Sequence, residues 1–307
     1  MDKNPKRYPS SRIRRRPCPH CGRLSSLQAK SCPKCGEPFV NALVGDEIDG
    51  PKKYTDFEEL DLIKLLESDL KKEIPLRSKI NIKALGYKEE DGTIIGLSLP
   101  YCKLKTVPIY IKQLKSLKAL FLNNNRIQTI PEFIGILSSL ELLRLDYNQL
   151  TSLPPSINNL TSLNAIGLNN NKLTHFPNAL GGLTSLKKLL ARRNLLKTLP
   201  TSFGMLESLE TLDLRFNKFH AFPNPLIFLK SLKTLNLGSN QIVSLPSTIC
   251  NCCNLEYLNL YSNQINSLPE EIGTLNCLKE LNIRANYWIK IPKSVINLEN
   301  KGLVLRK

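Results

Sequence analysis

The chain has few of the residues that catalytic sites require. Its 307 residues include only three histidines, His20, His175 and His220. It contains no glycine-rich phosphate-binding loop, no nucleophile elbow and no pair of carboxylates at metal-binding spacing. The sequence therefore predicts that the protein is not an enzyme, and binding is the class of function that remains.

Long apolar runs are also missing. No stretch is long and apolar enough to cross a bilayer, which takes roughly 20 residues, and the N-terminus lacks the apolar segment of an export signal. The cysteines are nine, an odd number, whereas disulfide frameworks pair their cysteines and form in oxidising compartments. We therefore expect a cytoplasmic monomer without a membrane span.

What the chain has in abundance is a 23-residue repeat. Nine copies run from Ile94 to Asn300 without a gap, and residues 140–162, LELLRLDYNQLTSLPPSINNLTS, are a clear example. A proline recurs every 23 residues from Pro108 to Pro292, and an asparagine does so from Asn125 to Asn286. Self-similarity at a fixed period of this length indicates a solenoid, in which each repeat buries its apolar residues against its neighbours.

Each part of the repeat predicts a local structure. In the leading L-x-x-L-x-L segment alternate residues face opposite sides of a strand, so the leucines point inward. A buried asparagine needs hydrogen-bond partners. We expect these to be backbone groups of its own repeat and of the neighbouring repeat, each repeat forming one coil of the solenoid. Cys102 occupies the asparagine position in the first repeat. The proline stops the strand, and apolar residues three apart then predict a short helix or 3₁₀ turn on the outer side.

This repeat resembles that of the leucine-rich repeat proteins, and in particular the 23-residue LPxxI class of the Ras-group and Ras-suppressor proteins. The resemblance covers about two-thirds of the chain. It implies an α/β fold, a horseshoe-shaped solenoid with a parallel sheet on its concave side. Members of the family mostly bind other proteins through that sheet, and this class suggests small GTPases or signalling regulators as partners.

A solenoid needs a cover at its ends, and residues 54–93 are predicted to form the N-terminal cap. A helix is expected over Tyr54–Ile74, with Thr55 and Glu58 as a capping box and Pro75 as the stop. The alternative for this helix is a partner-binding segment. Its apolar stripe comprises Phe57, Leu60, Ile63, Leu66 and Leu70.

A β-hairpin is expected after this helix, with its turn at Glu90-Asp91-Gly92. Residues 94–307 then hold the nine repeats and one last short strand at Gly302–Leu305. Charged residues flank this terminal strand, and charge discourages association between exposed sheet edges.

Four cysteines near the N-terminus form a second motif, C-x₂-C-x₁₀-C-x₂-C, made of Cys18, Cys21, Cys32 and Cys35. Two thiolates separated by two residues can hold one metal ion, and the glycine after each pair permits a tight turn. The motif resembles short zinc-ribbon modules, with C-P-x-C-G present twice. Four thiolates complete a tetrahedral site, so we predict one structural Zn²⁺ in residues 17–40, with disulfides or free thiols as the alternative.

The other cysteines are expected to be buried or unreactive thiols. Cys252 occupies a leucine position of its repeat and is predicted to be a small core residue. The alternative is a second metal site or a redox switch formed by Cys250, Cys253 and Cys277.

The net charge of +17 is distributed unevenly. Residues 1–40 contain ten Lys and Arg but only two acidic residues. The run Arg12-Ile-Arg-Arg-Arg16 can bind nucleic acid or an acidic membrane surface, whereas a flexible, solvated arm over residues 1–16 is the alternative. Residues 41–53 are predicted to be a linker.

The outward-facing positions of the strands indicate where a partner binds. They are the third, fifth, seventh and eighth of each repeat, and several carry aromatic or basic residues without a core role in this register. Protein interfaces use such residues as anchors, and a group of basic residues on two neighbouring coils favours an acidic protein over a merely solvated face. The predicted partner-binding residues are Phe121, Arg144, Tyr147, Lys188, Arg192, Arg193, Arg215, Phe216, Tyr257, Tyr261 and Arg284.

The sequence thus predicts a non-enzymatic scaffold that presents a preformed concave sheet to a protein partner. The alternative is a nucleic-acid-binding protein that uses residues 1–40, with the repeats recruiting protein. A substrate adaptor for a modifying enzyme is a third hypothesis.

Overall fold

The computed structural model describes residues 58–287 and 289–307, together with the backbone of two short strands near the N-terminus. The chain divides into two compact units, Met1–Asp56 and Phe57–Lys307. In the first unit, β1 (Arg15–Pro17) and β2 (Leu24–Ser26) pair antiparallel. The predicted zinc ligands, residues 1–14 of the predicted basic arm and the linker lie outside the described residues, whereas Arg15 and Arg16 of the arm belong to β1.

The second unit begins with helix α1 (Glu59–Leu70). Leu62, Ile63 and Leu66 are its buried residues, and they belong to the same apolar core as the leucines of the repeats. The side chain of Glu67 accepts a hydrogen bond from the Ile74 amide at 2.7 Å, which ties the returning chain to the helix. The helix therefore closes the N-terminal end of the core.

The capping box predicted for this helix is not formed as expected. Thr55 lies outside the described residues, so only Glu58 can be compared. Glu58 is the N-cap residue, with an extended backbone, and its side chain makes no capping hydrogen bond. Because the helix starts at Glu59, Glu58 is not at the third helical position that a capping box requires.

The predicted apolar stripe and end of α1 are also partly wrong. Ile63 and Leu66 of the predicted stripe are buried, but Leu60 is 38% exposed, and Leu62, which was not predicted, is the third buried residue. The helix ends well before Pro75, since Lys71 adopts the left-handed conformation with φ of 51°. A left-handed residue is a common way to end a helix.

The predicted hairpin is confirmed. β3 (Gly86–Glu90) and β4 (Thr93–Ser98) pair antiparallel. Between them Asp91 and Gly92 have φ values of 51° and 75°, which is the conformation that a two-residue hairpin turn needs. β4 is also the strand of the first repeat and begins the parallel part of the sheet.

Eleven strands form one sheet in the order β13 to β3. From β4 to β12 each strand pairs parallel with the next, with every residue opposite the residue 23 positions later. The remaining strands are β5 (Ala119–Phe121), β6 (Leu142–Arg144), β7 (Ala165–Gly167), β8 (Lys188–Leu190), β9 (Thr211–Asp213), β10 (Thr234–Asn236), β11 (Tyr257–Asn259), β12 (Glu280–Asn282) and β13 (Val304–Arg306).

The asparagine column forms the hydrogen-bonded spine that the repeat predicts. Asn148 donates from Nδ2 to the carbonyl oxygens of Leu122 at 2.9 Å and Leu145 at 3.0 Å, and its Oδ1 accepts from the Ile127 amide at 3.0 Å. The other asparagines from Asn125 to Asn286 repeat this pattern. Every coil is thereby bonded to the one before it, while the inward leucines are fully buried.

The prolines precede short helices, as predicted. The 3₁₀ helices are Ile109–Gln113, Glu132–Ile136, Pro155–Asn159, Asn178–Gly182, Thr201–Met205, Asn224–Phe228, Ser247–Asn251 and Glu270–Thr274. In the last repeat the longer α2 (Lys293–Asn300) takes their place, and β13 pairs with β12 at a spacing of 24 residues, with Glu280 opposite Val304. Within the described ranges no helix has the length and apolarity needed to cross a bilayer.

Candidate partner-binding face

The outward-facing side chains of β4–β13 and of the residues directly after each strand form one surface, here called the sheet face. At β4 and β5 this face is not free, because residues 80–84, here called the covering segment, lie on it. Ser98 Oγ donates to the Asn81 carbonyl oxygen at 2.8 Å. Asn123 Nδ2 donates to the next carbonyl oxygen, that of Ile82, at 2.6 Å.

The burial of Phe121 follows from this cover. Phe121 is 5% exposed, and Ser98 and Asn123 beside it are 0% and 2% exposed. Gly96 allows the covering segment to come this close to β4, since a Cβ at that position would lie only 2.5 Å from Ile80 Cδ1 and would clash with it. The prediction that Phe121 is an exposed anchor is therefore wrong. Strand periodicity puts it on the outward side, but a segment from outside the repeats covers that side.

Two of the predicted basic anchors are paired with carboxylates two residues away. Arg215 donates from Nη2 to Asp213 Oδ2 at 2.5 Å and from Nε to Oδ1 at 2.9 Å. Arg144 Nε donates to Asp146 Oδ2 at 2.7 Å. Asp213 and Asp146 are buried, and the hydrogen bonds that Arg215 donates to Asp213 raise the pKa of Arg215. The charges of both arginines are thus balanced within the molecule.

Glycine at the fifth position of the fourth repeat makes room for one of these pairs. A Cβ on Gly167 would lie 2.4 Å from both Arg144 Nε and Asp146 Oδ2. Asp146 is held further by Asn169, whose amide and Nδ2 both donate to Oδ1, at 3.1 and 2.7 Å. Asn169 Oδ1 in turn accepts from the Arg192 amide at 2.8 Å. Hydrogen bonds through Asp146 and Asn169, the seventh residues of their repeats, therefore connect the Arg144–Asp146 pair to the coil of Arg192.

Three of the predicted anchors come together on the coils of β8 and β9. The guanidinium carbons of Arg192 and Arg193 lie 4.7 and 5.0 Å from the ring centroid of Phe216, within the range of cation–π attraction. Phe216 is 39% exposed. Arg192 Nε is buried and has no hydrogen-bond partner among the described residues. We call Arg192, Arg193 and Phe216 the basic cluster.

Lys188 does not join this cluster, although the sequence places it on the same coil. It lies at the start of β8, four residues before Arg192, which corresponds to roughly 13 Å along a strand. Its side chain is exposed. Lys188 therefore adds to the positive charge of the sheet face but not to the packing around Phe216.

A backbone feature of the sheet face was not predicted from the sequence. The eighth residue of every repeat is left-handed, with φ values of 57° at Tyr147, 57° at Arg193 and 56° at Phe216. This conformation costs residues other than glycine about 1–3 kcal/mol, and asparagine tolerates it best. Asn124 and Asn170 in the same column are the signal that was available. Tyr147, Arg193 and Phe216 thus occupy positions where the left-handed backbone disfavours large side chains.

The last strands carry aromatic and amide side chains. Tyr257 and Tyr261 are each 44% exposed, and Arg284 is exposed as well. A depression of about 240 Å³ lies on these strands; its lining residues are Thr234, Asn236, Tyr257, Leu258, Asn259, Glu280 and Asn282. The asparagines in this lining were not predicted as site residues.

The cysteines of the repeats differ in burial, and only Cys252 among them is fully buried, as predicted for a small core residue. Cys252 is buried and its Sγ lies 3.5 Å from the Leu226 carbonyl oxygen, and burial raises the pKa of Cys252 to about 11. Cys253 and Cys277 are exposed. No group of three or more His, Cys, Asp or Glu among the described residues is arranged to hold a metal ion, so the alternative of a second metal site has no support there.

The repeats match known families. Residues 97–198 match a model described as a leucine-rich repeat region, and residues 230–287 match a leucine-rich repeat model. The predicted leucine-rich repeat fold is therefore confirmed for the second unit. A search of curated proteins gave no match to the chain.

Solved structures give the same fold. A leucine-rich repeat protein of Leptospira interrogans is 33% identical with a TM-score of 0.59, and the match covers 66% of this chain and 63% of that one. The plant peptide hormone receptor RGFR1 in complex with RGF2 is 28% identical with a TM-score of 0.59, over 71% of this chain and 36% of the receptor.

A third likeness shows the fold alone. The ectodomain of the Arabidopsis thaliana receptor kinase GASSHO1/SCHENGEN3, in complex with CASPARIAN STRIP INTEGRITY FACTOR 2, is 22% identical with a TM-score of 0.60, and the match covers 81% of this chain and 35% of that one. The chain thus spans between 35% and 63% of the length of these three structures. Because 468 solved chains match, the fold alone does not identify a partner.

Proposed function

We propose that this protein is a non-enzymatic scaffold of the cytoplasm that binds a protein partner on its sheet face, at the basic cluster. Leucine-rich repeat domains generally mediate protein–protein interaction, and the sheet face is the concave face of the predicted horseshoe. The observation that carries the proposal is the basic cluster itself, in which two guanidinium groups lie against one partly exposed ring and neither forms an ion pair with a carboxylate among the described residues.

An acidic group on the partner fits this cluster. A carboxylate that reaches Arg192 and Arg193 pairs with their guanidinium groups through charge-assisted hydrogen bonds, which are stronger than neutral ones. The nearby carboxylates of Asp146 and Asp213 do not compete, since each is already paired with an arginine two residues away. Lys188 and Arg284 extend the positive charge along the face.

The cluster is also held in place before a partner arrives. The ring of Phe216 lies against both guanidinium groups, and the left-handed backbone sets the direction of Arg193 and Phe216. Fixing these side chains in advance lowers the entropy lost on binding, which is about 0.5–1.5 kcal/mol for each mobile side chain. Rigid presentation of the cluster is therefore the mechanism we propose.

The kind of partner is supported by two resemblances. The 23-residue LPxxI pattern of the repeats suggests a small GTPase or another signalling regulator. One of the matching structures, RGFR1, is a plant peptide hormone receptor in complex with RGF2, which favours a polypeptide over a small molecule.

Affinity capture with the tagged full chain tests the proposal. A partner captured by wild type, identified by mass spectrometry and then purified, should bind the Arg192→Glu plus Arg193→Glu variant at least tenfold more weakly. Lys115→Glu plus Lys230→Glu is the matched control, because it makes the same change of charge at two exposed residues that follow the 3₁₀ helices. Equal binding by both variants, with unchanged circular dichroism, would remove the sheet-face assignment.

For residues 17–40 we retain the proposal of a structural zinc site. In the sequence Cys18 and Cys21 come after the end of β1 and before the start of β2, an order that fits a zinc ribbon. Cys18, Cys21, Cys32 and Cys35 would hold the ion, and zinc would supply the folding energy that so short a unit lacks. The purified full chain should contain one zinc per molecule, and Cys32→Ser plus Cys35→Ser should contain none.

The alternative function, nucleic-acid binding by residues 1–40, is favoured by their ten basic residues against two acidic ones. It predicts an affinity for RNA or DNA that falls steeply with salt, because phosphate contacts release counterions. Replacement of Arg12, Arg14, Arg15 and Arg16 by glutamine should abolish this binding. If the full chain binds neither nucleic acid at 50 mM salt, the alternative is excluded.

A further inference from the structure

We propose that β10–β12 form a second subsite, which binds main-chain carbonyl groups of an extended segment of the partner protein. The inference rests on the proposed function, because it requires a polypeptide on the sheet face. Asn259 and Asn282 are the residues assigned to hold the carbonyl groups. The subsite therefore recognises the backbone of the partner, whereas the basic cluster recognises an acidic side chain.

The covering segment provides a precedent within this molecule. Its carbonyl groups at Asn81 and Ile82 accept hydrogen bonds from Ser98 and Asn123, which are outward-facing side chains of neighbouring coils. Residues 81–84 form a tight turn, closed by a bridge between Asn81 and Ala84, and these two bonds hold it against the coils of β4 and β5. The sheet face thus already binds one polypeptide segment. Two successive carbonyl groups of that segment accept hydrogen bonds from two neighbouring coils.

Asn259 and Asn282 are arranged to make the same kind of bond. Asn259 Oδ1 accepts from the Tyr261 amide at 3.0 Å, and Asn282 Oδ1 accepts from the Arg284 amide at 3.2 Å. These bonds fix the orientation of both side-chain amides, so their NH₂ groups are the free ends. No acceptor for either Nδ2 is present among the described residues, and the two asparagines are paired in register on adjacent strands.

The surroundings leave room for a polypeptide. Both asparagines line the depression of about 240 Å³. Beside it, Gly238 has no side chain, and a Cβ there would lie 3.4 Å from Asn259 Oδ1. Tyr257 and Tyr261, each 44% exposed, provide apolar surfaces for the side chains of the segment. Glu280 at the same depression is paired with Arg306 at 2.7 Å, so its charge does not repel carbonyl oxygens.

The two subsites are within reach of one segment. Strands are about 4.8 Å apart, so β11 lies about 10–14 Å from β9 and β8. An extended chain covers that distance in three or four residues, at about 3.3–3.6 Å per residue. We therefore expect a segment whose acidic residue at the basic cluster stands three or four positions from the residue held by Asn259, and about four to six positions from the residue held by Asn282 on the next strand.

A peptide library tests the inference. The full chain is screened against beads that carry acetylated, amidated nonapeptides with one glutamate among random residues. The affinity of the most enriched peptide is then measured by fluorescence anisotropy. Asn259→Asp plus Asn282→Asp is the informative variant, because aspartate keeps the acceptor for Tyr261 and Arg284 but removes the donors. Asn158→Asp plus Asn224→Asp, at exposed positions of the 3₁₀ helices, matches its charge.

The expected result is a loss of at least tenfold in affinity for the first variant and less than twofold for the control. An Asn259→Ala plus Asn282→Ala variant should lose affinity similarly, which separates lost donors from added charge. Replacing one bound carbonyl of the peptide by a thioamide, a poorer acceptor, should weaken wild-type binding about threefold to tenfold, as one hydrogen bond predicts. It should leave the binding of the aspartate variant unchanged.

Two results would overturn the inference: no peptide enriched by the full chain, or an aspartate variant that binds within twofold of its control. Arg192→Glu plus Arg193→Glu separates this outcome from failure of the proposed function. If only the arginine variant loses affinity for the peptide or the captured partner, the basic cluster stands and the carbonyl subsite is wrong. If neither pair of changes lowers affinity, both assignments are wrong.

Discussion

The coils of β4 and β5 and the coils of β8 and β9 have the same backbone register but different surfaces. At β5 the outward-facing Phe121 is 5% exposed beneath the covering segment, whereas Phe216 beside β9 is 39% exposed and lies against two arginines. Both phenylalanines occupy outward positions of their repeat. The difference teaches that the repeat determines the direction of a side chain, and that segments outside the repeat decide whether it is available.

The largest expected effect concerns the spine that both regions share. Asn194→Ala in the coil of β8 removes bonds to the Leu168 and Ala191 carbonyl oxygens and from the Leu173 amide. Leaving these buried groups unpaired should lower the free energy of unfolding by about 3–6 kcal/mol. Cys102→Ala in the first coil removes only a weak thiol contact to Pro100 and should cost about 1 kcal/mol. Urea denaturation followed by circular dichroism measures both; equal shifts would contradict the account of the spine.

The two phenylalanines test the comparison directly. Phe121→Ala should lower the free energy of unfolding by about 3 kcal/mol, because a buried ring is lost and a cavity is left. Phe216→Ala should cost less than about 1 kcal/mol, since its ring is partly solvated already and the cation–π contacts that it loses are weak at an exposed site. The same denaturation experiment decides, and a larger loss for Phe216 would mean that the covering segment does not pack on Phe121.

The two kinds of arginine on the sheet face should also differ. Arg215→Ala leaves Asp213, which is 6% exposed, without its ion pair. We expect a loss of about 1–2 kcal/mol in unfolding free energy, less than for a fully buried pair because the arginine side chain is 34% exposed and screened by solvent. Arg193→Ala should change it by less than about 0.5 kcal/mol. Similar losses for both would show that Arg193 is part of the scaffold.

The smallest effect on stability is expected for the left-handed positions. Tyr101→Gly and Phe216→Gly both relieve a positive φ, of 56° in each case, and should change the unfolding free energy by less than about 1 kcal/mol. Only Phe216→Gly should weaken binding of the captured partner, because it removes the ring between the arginines. If both variants changed the affinity for the partner equally, the partner would not bind at the basic cluster.

Much of the fold follows from the repeat. The inward leucines, the bonds of the asparagine column and the short helix after each proline are all local consequences of the 23-residue pattern, repeated at every coil. The parts that differ depend on contacts between distant residues. The start of α1 at Glu59 and the exposure of Leu60 depend on how the helix packs on the first repeat, which its own periodicity does not specify.

The candidate site was predicted less completely, for a similar reason. Arg192 and Arg193 lie in the coil of β8, and Phe216 lies in the coil of β9. The sequence indicated that the three side chains are on the same face of the sheet, but not that they are in contact. The i, i+2 pairs Arg144–Asp146 and Arg215–Asp213 lie within single coils and could have been predicted. The cover over Phe121 could not, because the bonds of the covering segment reach 17 and 41 residues along the chain.

The most direct measurement is hydroxyl-radical footprinting of the full chain, alone and bound to the captured partner. In the free protein Phe216 and Tyr257 should be labelled and Phe121 should not. Binding should protect Phe216 and Tyr257, and should leave Met205 and Phe228 unchanged, which are 60% and 59% exposed on the 3₁₀ helices. Protection of Met205 and Phe228 with unchanged labelling of Phe216 and Tyr257 would contradict the proposal that the sheet face binds the partner.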